Sequence, residues 1–537
     1  MRVLTGGQWS DGYLDYARGP GDVRVQVLAL CNLRAVDGMY VVRAASTRML
    51  WNYAREVGPA AVWRRVRSRM GERGRNEKYL SCGIGRVTHA DAGGPAGLVV
   101  FLAPGHPRCA ERLVLPRELV LPVESAPGVP LKQGAVLHLP ERGEGAAWCD
   151  ELRGWSADSG VALDAERCAA LLQRAATELR AADWGRAAAL PCDPPSPVTE
   201  FIPPASPPPD DGRRKSAVLF GYGNYAKVTS LPHVERHLRL TAVHEIDPTQ
   251  VPPGRRADVA WDSSGALRPD ERPDAVLIAG YHHTHAPLAV EALRRGAYAV
   301  VEKPLCTTHA QLDEVMRAVE GQPRLLACFQ KRYLRFNQMA LEDLAVRPGD
   351  AVNYHCVVYE IPLPALHWYR WPSSRTRLVS NGCHWIDHFL FLNRFAEPRW
   401  WDVAAAPDGT LNVSVLLENG AFFSMVLTDR GSERLGVQEH VELRANDRTV
   451  CIENASRYRA ESTERVLRRA HANRLESYRR MYGTIARIVA EGRPGDPPES
   501  VRVPSQLVLD LEARLAEVLA AQGDAADPAE PVPAWSA

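Results

Sequence analysis

A glycine turn, a carboxylate, a lysine and a histidine, spread over residues 221–384, are the groups whose types and spacing could do chemistry. The stretch KSAVLFGYGNYAKV (215–228) is an apolar run that meets a glycine turn and then a helix-like segment. Gly221 permits a tight turn, Gly223 removes the side chain that would block a pyrophosphate, and Ala226 lets a helix pack closely on the strand. Backbone N–H groups opening that helix would face phosphates, with Asn224 and Tyr225 among the contacts. Asp247 closes the next strand-like run, LTAVHEID, 24 residues after Gly223. A carboxylate there accepts from adenosine ribose hydroxyls and repels a 2′-phosphate, which favours NAD over NADP. The competing expectation is a glycine turn in an α/β domain that holds no nucleotide.

The stretch AVLIAGYHHTHAPLAVEALRRGAYAVVEKPL (275–305) resembles the Gfo/Idh/MocA family, the glucose-fructose oxidoreductases and inositol dehydrogenases. Glu302-Lys303-Pro304 reproduces the family's E-K-P, and His285 matches its turn histidine, while Gly280 and Tyr281 stand where Thr-Pro is usual. The similarity runs from about 215 to 525. It implies that His285, Glu302 and Lys303 line the cofactor, that Lys303 touches the substrate hydroxyl, and that the peptide before Pro304 is cis. An ammonium beside a reacting C–OH stabilises developing alkoxide and can relay a proton.

In the family's substrate half, RTRLVSNGCHWIDHFLFL (375–392) matches through His384 and Asp387. Four residues before His384, where several dehydrogenases carry a catalytic Asp, stand Ser380 and then Asn381. Ser380 and His384 would share one helix face, and His384 would relay the proton. Without the Asp, Asp387 or His388 would have to orient it, and Asp387 reads more simply as structural. QKRYLRFNQ (330–338) resembles the family's N-R-R-F-x-P segment, so Lys331 and Arg332 would bind an anionic group or pair with carboxylates. Trp368 and Tyr369 in HWYRW would stack on a sugar or simply form a packed lid.

These groups need elements to hold them. Apolar runs at Ala217–Phe220, Leu240–Glu245, Ala275–Ala279 and Ala299–Val301 alternate with helical patterns such as Ala286–Arg295 and Ala310–Val319. That alternation predicts βαβ units and a parallel sheet, an α/β Rossmann domain over 215–340. Beyond 345, alternating runs (Ala351–Tyr359, Leu411–Leu417, Ala421–Thr428, His440–Arg444) predict an α+β domain, 341–525, with an open, mostly antiparallel sheet. Helices are expected over Arg465–Glu491 and Ser505–Ala521, and a loose tail over 526–537. The Pro-rich stretch 191–214 reads as a linker with no helix or sheet of its own.

The front, 1–190, carries strand-like runs at Val23–Leu30, Gly97–Leu102 and Arg112–Val123, a basic helical stretch at Met49–Arg73, and a helix at Ala165–Ala182. Residues 44–87 and HPRCAERLVLPRELVLPVE (106–124) resemble the GroES-like β-domain of medium-chain alcohol dehydrogenases. No glycine turn follows and no Cys/His set has metal-ligand spacing, so a domain without its own Rossmann fold and without metal is expected. It would shape substrate access, bind a protein partner or build an oligomer.

Formal net charge is +1, so no overall field recruits nucleic acid or a membrane surface. The 11 cysteines form no C-x-x-C pair and read as reduced, mostly buried thiols. With no long apolar run and no basic-then-apolar start, a cytoplasmic protein is expected, as a dimer or tetramer by family resemblance. The expected function is hydride transfer between NAD(P) and a carbon bearing hydroxyl, oxo or imine, on a sugar, cyclitol or natural-product intermediate. The rivals are a degenerate nucleotide-binding scaffold and an accessory subunit of a biosynthetic pathway.

Overall fold

In a computed structural model, the described residues are 2–5, 8–10, 14–16, 21–35, 47–72, 78–107, 109–140, 148, 152, 165–191, 198–206, 214–247, 250–251, 256–363, 367–431 and 436–525. The expected tail, 526–537, and positions 192–197 and 207–213 of the Pro-rich stretch lie outside them. The chain divides into two units. The first comprises Met1–Cys328, Leu363–Thr376 and Tyr478–Pro498, and the second Phe329–Pro362, Arg377–Ser477 and Glu499–Ala537. Chain order alone predicted sequential domains, whereas the loop at 363–376 and the stretch 478–498 join the first unit.

The first unit opens with a short hairpin, β1 (Val3–Thr5) and β2 (Gln8–Ser10). A seven-stranded sheet follows, built from β3 (Asp22–Ala35), β4 (Lys78–His89), β5 (Leu98–Pro107), β6 (Arg112–Pro116), β7 (Val120–Pro122), β8 (Ala135–Leu139) and β9 (Ala188–Pro191). The expected single strand Arg112–Val123 is two, because a 3-10 turn, Arg117–Leu119, follows Pro116. Glycine in β4 lets the strands close: a Cβ on Gly83 would lie 2.4 Å from the Ala29 carbonyl and 2.6 Å from the Phe101 ring. Helix Ala165–Ala181 buries Leu171, Leu172, Ala175 and Leu179 against Leu80, Cys82 and Ile84 on one face. Val23, Val25, Phe101 and Leu113 form the core of the other face. The basic stretch expected as one helix is broken into Thr47–Val57 and Pro59–Glu72, since Gly58 sits at φ +85° and proline opens the second helix.

The second sheet of this unit has the order β10-β13-β12-β11-β14-β15-β16. Its strands are β10 (Phe201–Ile202), β11 (Ser216–Phe220), β12 (Arg239–His244), β13 (Ala260–Asp262), β14 (Ala275–Ile278), β15 (Tyr298–Glu302) and β16 (Leu325–Cys328). Strands β11–β16 run parallel with the doubly wound order, reversing direction of growth between β11 and β14, where such sheets bind ligands at the strands' carboxyl ends. Short strands β13 and β16 lacked a readable pattern. Two residues of the expected linker, Phe201–Ile202, make the antiparallel edge strand, a place where flanking prolines cost no ladder bond. The far edge is covered by Gly495 and Asp496, whose N–H groups donate to Pro323 and Leu325 carbonyls.

The second unit is an eight-stranded open sheet, β18-β19-β20-β17-β21-β22-β23-β24. The strands are β17 (Asn353–Tyr359), β18 (Pro398–Ala405), β19 (Leu411–Leu417), β20 (Phe422–Thr428), β21 (Gln438–Ala445), β22 (Arg448–Glu453), β23 (Arg457–Ser462) and β24 (Val466–His471). Only β17 and β20 pair in parallel; the other pairings are antiparallel, as the alternating runs predicted. The helix expected over Arg465–Glu491 is corrected: Val466–His471 is edge strand β24, and the helix spans Glu476–Glu491. The last helix, Pro498–Ala525, carries Pro504 inside it. Among the described residues no helix is long and apolar enough to cross a membrane. Eight of the described cysteines are buried, and Cys451 is half-buried.

Candidate functional site

Strand β11 ends in the glycine turn, and each glycine there has a distinct reason. Gly221 sits at φ +88°, and a Cβ on it would lie 2.5 Å from the Ala279 carbonyl, where β14 leaves the sheet. Gly223 faces open space, with nothing within 4 Å of a built Cβ. That open cradle over backbone N–H groups suits a pyrophosphate. Asn224 and Tyr225 begin a helical segment, 224–234, that widens to a π-turn over Ala226–Ser230; Ala226 is buried and Tyr225 exposed.

The carboxylate that holds this turn is one the sequence reading passed over. Glu245, directly after β12, accepts from Tyr222 N–H at 2.6 Å through one oxygen and from Asp247 N–H at 2.9 Å through the other. Glu245 and Asp247 are both buried. Either falls near the spacing that a ribose-binding carboxylate requires, and the last strand residue, His244, makes Glu245 the nearer. Burial first, then the Asp247 charge, push the Glu245 carboxyl from 4.5 up to about 7.

That shift has a measurable consequence. The folded protein favours neutral Glu245, so its contribution is fully present below pH 4.5 and is lost as pH rises toward about 7. The wild type should therefore lose stability relative to Glu245→Gln across that window, by up to roughly 3 kcal/mol. Urea midpoints of both proteins, measured at several pH values, check this; parallel curves would contradict it.

Strand β15 delivers Glu302, and Lys303 follows it with a cis peptide before Pro304. His285 was expected beside the cofactor. It is buried, with Nδ1 2.7 Å from the Pro304 carbonyl and Nε2 3.2 Å from the Gly280 carbonyl. Burial lowers its pKa, and a neutral ring donates from one nitrogen only, so the shorter contact to Pro304 is the hydrogen bond. Its ring ties the loop carrying Lys303 to the turn after β14.

Glu302 is buried and accepts from the Tyr482 hydroxyl, whose oxygen lies 2.9 Å from the Tyr225 hydroxyl; with the single Tyr482 proton on Glu302, Tyr225 is the donor there. A hydrogen-bonded chain thus joins the glycine turn, the E-K-P carboxyl and helix Glu476–Glu491. Nothing in the sequence marked Tyr482.

Loop residues 367–376 lie against the same turn. Trp368 meets Tyr281 and His282 edge-on, with centroids 5.3 and 4.7 Å apart. Tyr369 lies beside His282, and the Lys303 ammonium sits over its ring at 5.5 Å. Arg375 Nε donates to the Thr307 carbonyl at 2.9 Å. His282 is fully buried, so desolvation, followed by the Lys303 charge, holds its pKa well below the ordinary range. The structure therefore brings together Lys303, Tyr369 and a neutral His282, the last missed because His285 carried the motif.

The remaining predicted residues belong to the second unit. Helix Cys383–Leu392 carries His384 and Asp387, and a π-turn, Leu378–Gly382, precedes it, a form that recurs at functional sites. Ser380 and His384 are buried, and Asn381 donates to Glu360 at 2.6 Å. Arg332, expected either to bind an anionic group or to pair with a carboxylate, makes a bidentate ion pair with fully buried Asp387, its closest contact 2.6 Å. Lys331 is buried against Glu439, which also accepts from Trp385 at 2.6 Å. Breaking a buried pair strands a charge and costs several kcal/mol, roughly 3–5; these two cations serve the packing of this unit. His388 is held by Tyr354 at 3.1 Å and Asn337 at 2.9 Å.

Sheet register also gathers His440, Glu442 and Cys451, whose possible ligand atoms lie within 4.8 Å of one another on β21 and β22. It is one such group among the described residues, and sequence spacing gave no sign of it.

Residues 215–329 match the family described as "Oxidoreductase family, NAD-binding Rossmann fold", GFO_IDH_MocA. A search of curated proteins gave no match. Among solved structures, the chain is similar to a dehydrogenase from Chromobacterium violaceum at 15% identity and TM-score 0.49, over 58% of this chain and 97% of that one. A UDP-N-acetylglucosamine 3-dehydrogenase from Acidithiobacillus ferrooxidans aligns at 15% identity and TM-score 0.46, over 57% and 99%. An inositol dehydrogenase homologue from Azotobacter vinelandii, complexed with NADH and myo-inositol, aligns at 13% identity and TM-score 0.46, over 57% and 96%. At such values, what those proteins bind does not transfer to this chain.

Proposed function

We propose, for a chain that carries over residues 215–329 the NAD-binding domain of the Gfo/Idh/MocA oxidoreductase family, an NAD(P)-dependent oxidation of a C–OH or reduction of its oxo or imine counterpart. The observation that carries this reading is Lys303, directly after the carboxyl end of β15, in the same parallel sheet as the open glycine turn. The residues present suit a dinucleotide: Gly223 leaves room for its phosphates, and Glu245 and Asp247 stand where its ribose hydroxyls need acceptors. The nicotinamide, when bound, supplies the hydride acceptor or donor.

This chain's own residues would do the rest. Lys303 holds the reacting oxygen or nitrogen and stabilises negative charge on it. His285 fixes the loop that aims Lys303, and Tyr369 with Trp368 excludes water from one side. His384 is assigned the proton relay, with Ser380 and Asn381 beside it in sequence. Asp247, near the ribose position, favours NAD over NADP. The front sheet is read as a GroES-like β-domain without its own nucleotide fold, and the substrate class as polyol, sugar or cyclitol-like.

Ser380 in place of the usual Asp supports a second reading, a nucleotide-binding scaffold without turnover. A 340 nm assay with NAD and NADP on a panel of sugars, cyclitols and cyclic imines, run in both directions, separates the two. Substrate-dependent absorbance change supports the enzyme; saturable cofactor binding with none on any member supports the scaffold.

A further inference from the structure

A phenol from the front of the chain, Tyr16, lies near the carboxyl end of the parallel sheet. Leu14 and Asp15 are buried, and the Asp15 carboxylate is gripped by Arg112 Nε at 2.8 Å and by Thr199 N–H at 2.8 Å. The Asp15 N–H in turn donates to the Thr199 carbonyl at 2.8 Å. Hydrogen bonds then lead step by step to the cofactor end of the sheet. Ser263 N–H donates to the Glu200 carbonyl at 2.9 Å, Phe201 pairs with Asp262, and Glu245 N–H donates to the Asp262 carbonyl at 2.8 Å. Because β10 runs antiparallel to β13, moving from Phe201 back to Thr199 carries the chain past the carboxyl end of the sheet. Asp15 and Tyr16 are thereby fixed at the level of Glu245 and Asp247.

Tyr16 lies edge-on to His106 of β5, ring centroids 5.2 Å apart, and its hydroxyl is buried with no hydrogen-bond partner among the described residues. A buried, unsatisfied hydroxyl costs free energy unless something completes it. The groups it senses are those of the cofactor turn. After burial itself, the Asp247 carboxylate and the Tyr281 hydroxyl raise its pKa well above the usual phenol range, so it remains a donor.

We infer that the front of the chain completes the dinucleotide site, and that the Tyr16 hydroxyl donates a hydrogen bond to an oxygen of the dinucleotide's ribose–phosphate backbone. Asp247 and Tyr281 follow β12 and β14, the strands on either side of β11 and its glycine turn. A donor between them stands over the middle of an extended dinucleotide rather than over its reacting ring. The front sheet then has a binding role of its own, without metal or second nucleotide fold. This rests on the NAD(P)-binding reading above.

The test compares wild type with Tyr16→Phe in three measurements: thermal melting without ligand, and equilibrium titration with NADH and with ADP-ribose. Removing an unpartnered hydroxyl leaves the ligand-free melting temperature unchanged or higher. Affinity for both ligands falls roughly tenfold, the loss of one hydrogen bond to a polar or charged acceptor. Equal affinities in wild type and variant overturn the inference while leaving cofactor binding intact. A loss with NADH but not ADP-ribose also overturns it, by moving the contact to the nicotinamide half. A lowered ligand-free melting temperature overturns it as well, since the hydroxyl would then have a partner within the protein. Failure of wild type to bind either ligand, NADPH included, removes the parent reading and this one together.

Discussion

Replacing Lys303 with methionine is expected to lower turnover by about 10²- to 10⁴-fold, the range for removing a positioned acid–base group. The ammonium is held in place from two sides. His285 ties its loop through the Pro304 carbonyl at 2.7 Å, and the Tyr369 ring lies 5.5 Å beneath the Nζ. Methionine keeps the length and much of the volume of the stem, so the aromatic wall stays packed. The charge alone is lost. NADH affinity should hold to within a few-fold, because the glycine turn and Glu245 are untouched. A kcat loss with unchanged cofactor affinity supports the role, whereas equal loss of both would make Lys303 a cofactor ligand only.

Gly221→Ala should damage the fold before it damages the chemistry. At φ +88° an alanine is strained by about 1–3 kcal/mol. Its Cβ would also lie 2.5 Å from the Ala279 carbonyl, a backbone atom that cannot turn aside as a side chain tip would. Relieving that clash means parting β11 from β14, the central pair of the sheet, at a further cost of about 1–3 kcal/mol. The combined loss is several kcal/mol, a large share of the stability of an ordinary domain. Thermal or urea denaturation of the ligand-free protein reads it directly. A variant as stable as wild type would mean that this turn is not built as described.

Much of the nucleotide domain was legible because its chemistry is local. A strand buried on both faces reads as an apolar run, as in Ala275–Ile278 and Tyr298–Glu302, and glycine marks the turn it feeds. The E-K-P lysine stood out through the resemblance of 275–305 to the Gfo/Idh/MocA family. What was not legible depended on chain segments meeting at a distance. Val466–His471 read as helix because an exposed edge strand carries no clean alternation, and only its pairing with β23 reveals it. Glu245 was passed over for Asp247 because both fit the ribose spacing, and the choice lies in which one reaches Tyr222 N–H.

Lys331 and Arg332 were open between binding an anion and pairing with carboxylates, and the partners they meet, Glu439 and Asp387, lie far along the chain. The aromatic loop at 367–371 carried its residues in view, yet its place beside His282 and Lys303 comes from the chain doubling back to the first unit. Tyr482 and Tyr16 had no local signal at all. Each is defined by what it faces: Glu302 in one case, the neighbourhood of Asp247 in the other.

The most direct test of the central claim is a titration of NADH into the intact chain beside Gly223→Val, followed by nicotinamide fluorescence. Gly223 has open space around its missing Cβ, so valine should fold without a clash and fill the cradle meant for the pyrophosphate. The expected result is one saturable site per wild-type chain, at least tenfold weaker in a variant that melts as wild type does. Saturable binding that is equally tight in Gly223→Val would place the dinucleotide elsewhere, and no saturable binding to the wild type would contradict the account.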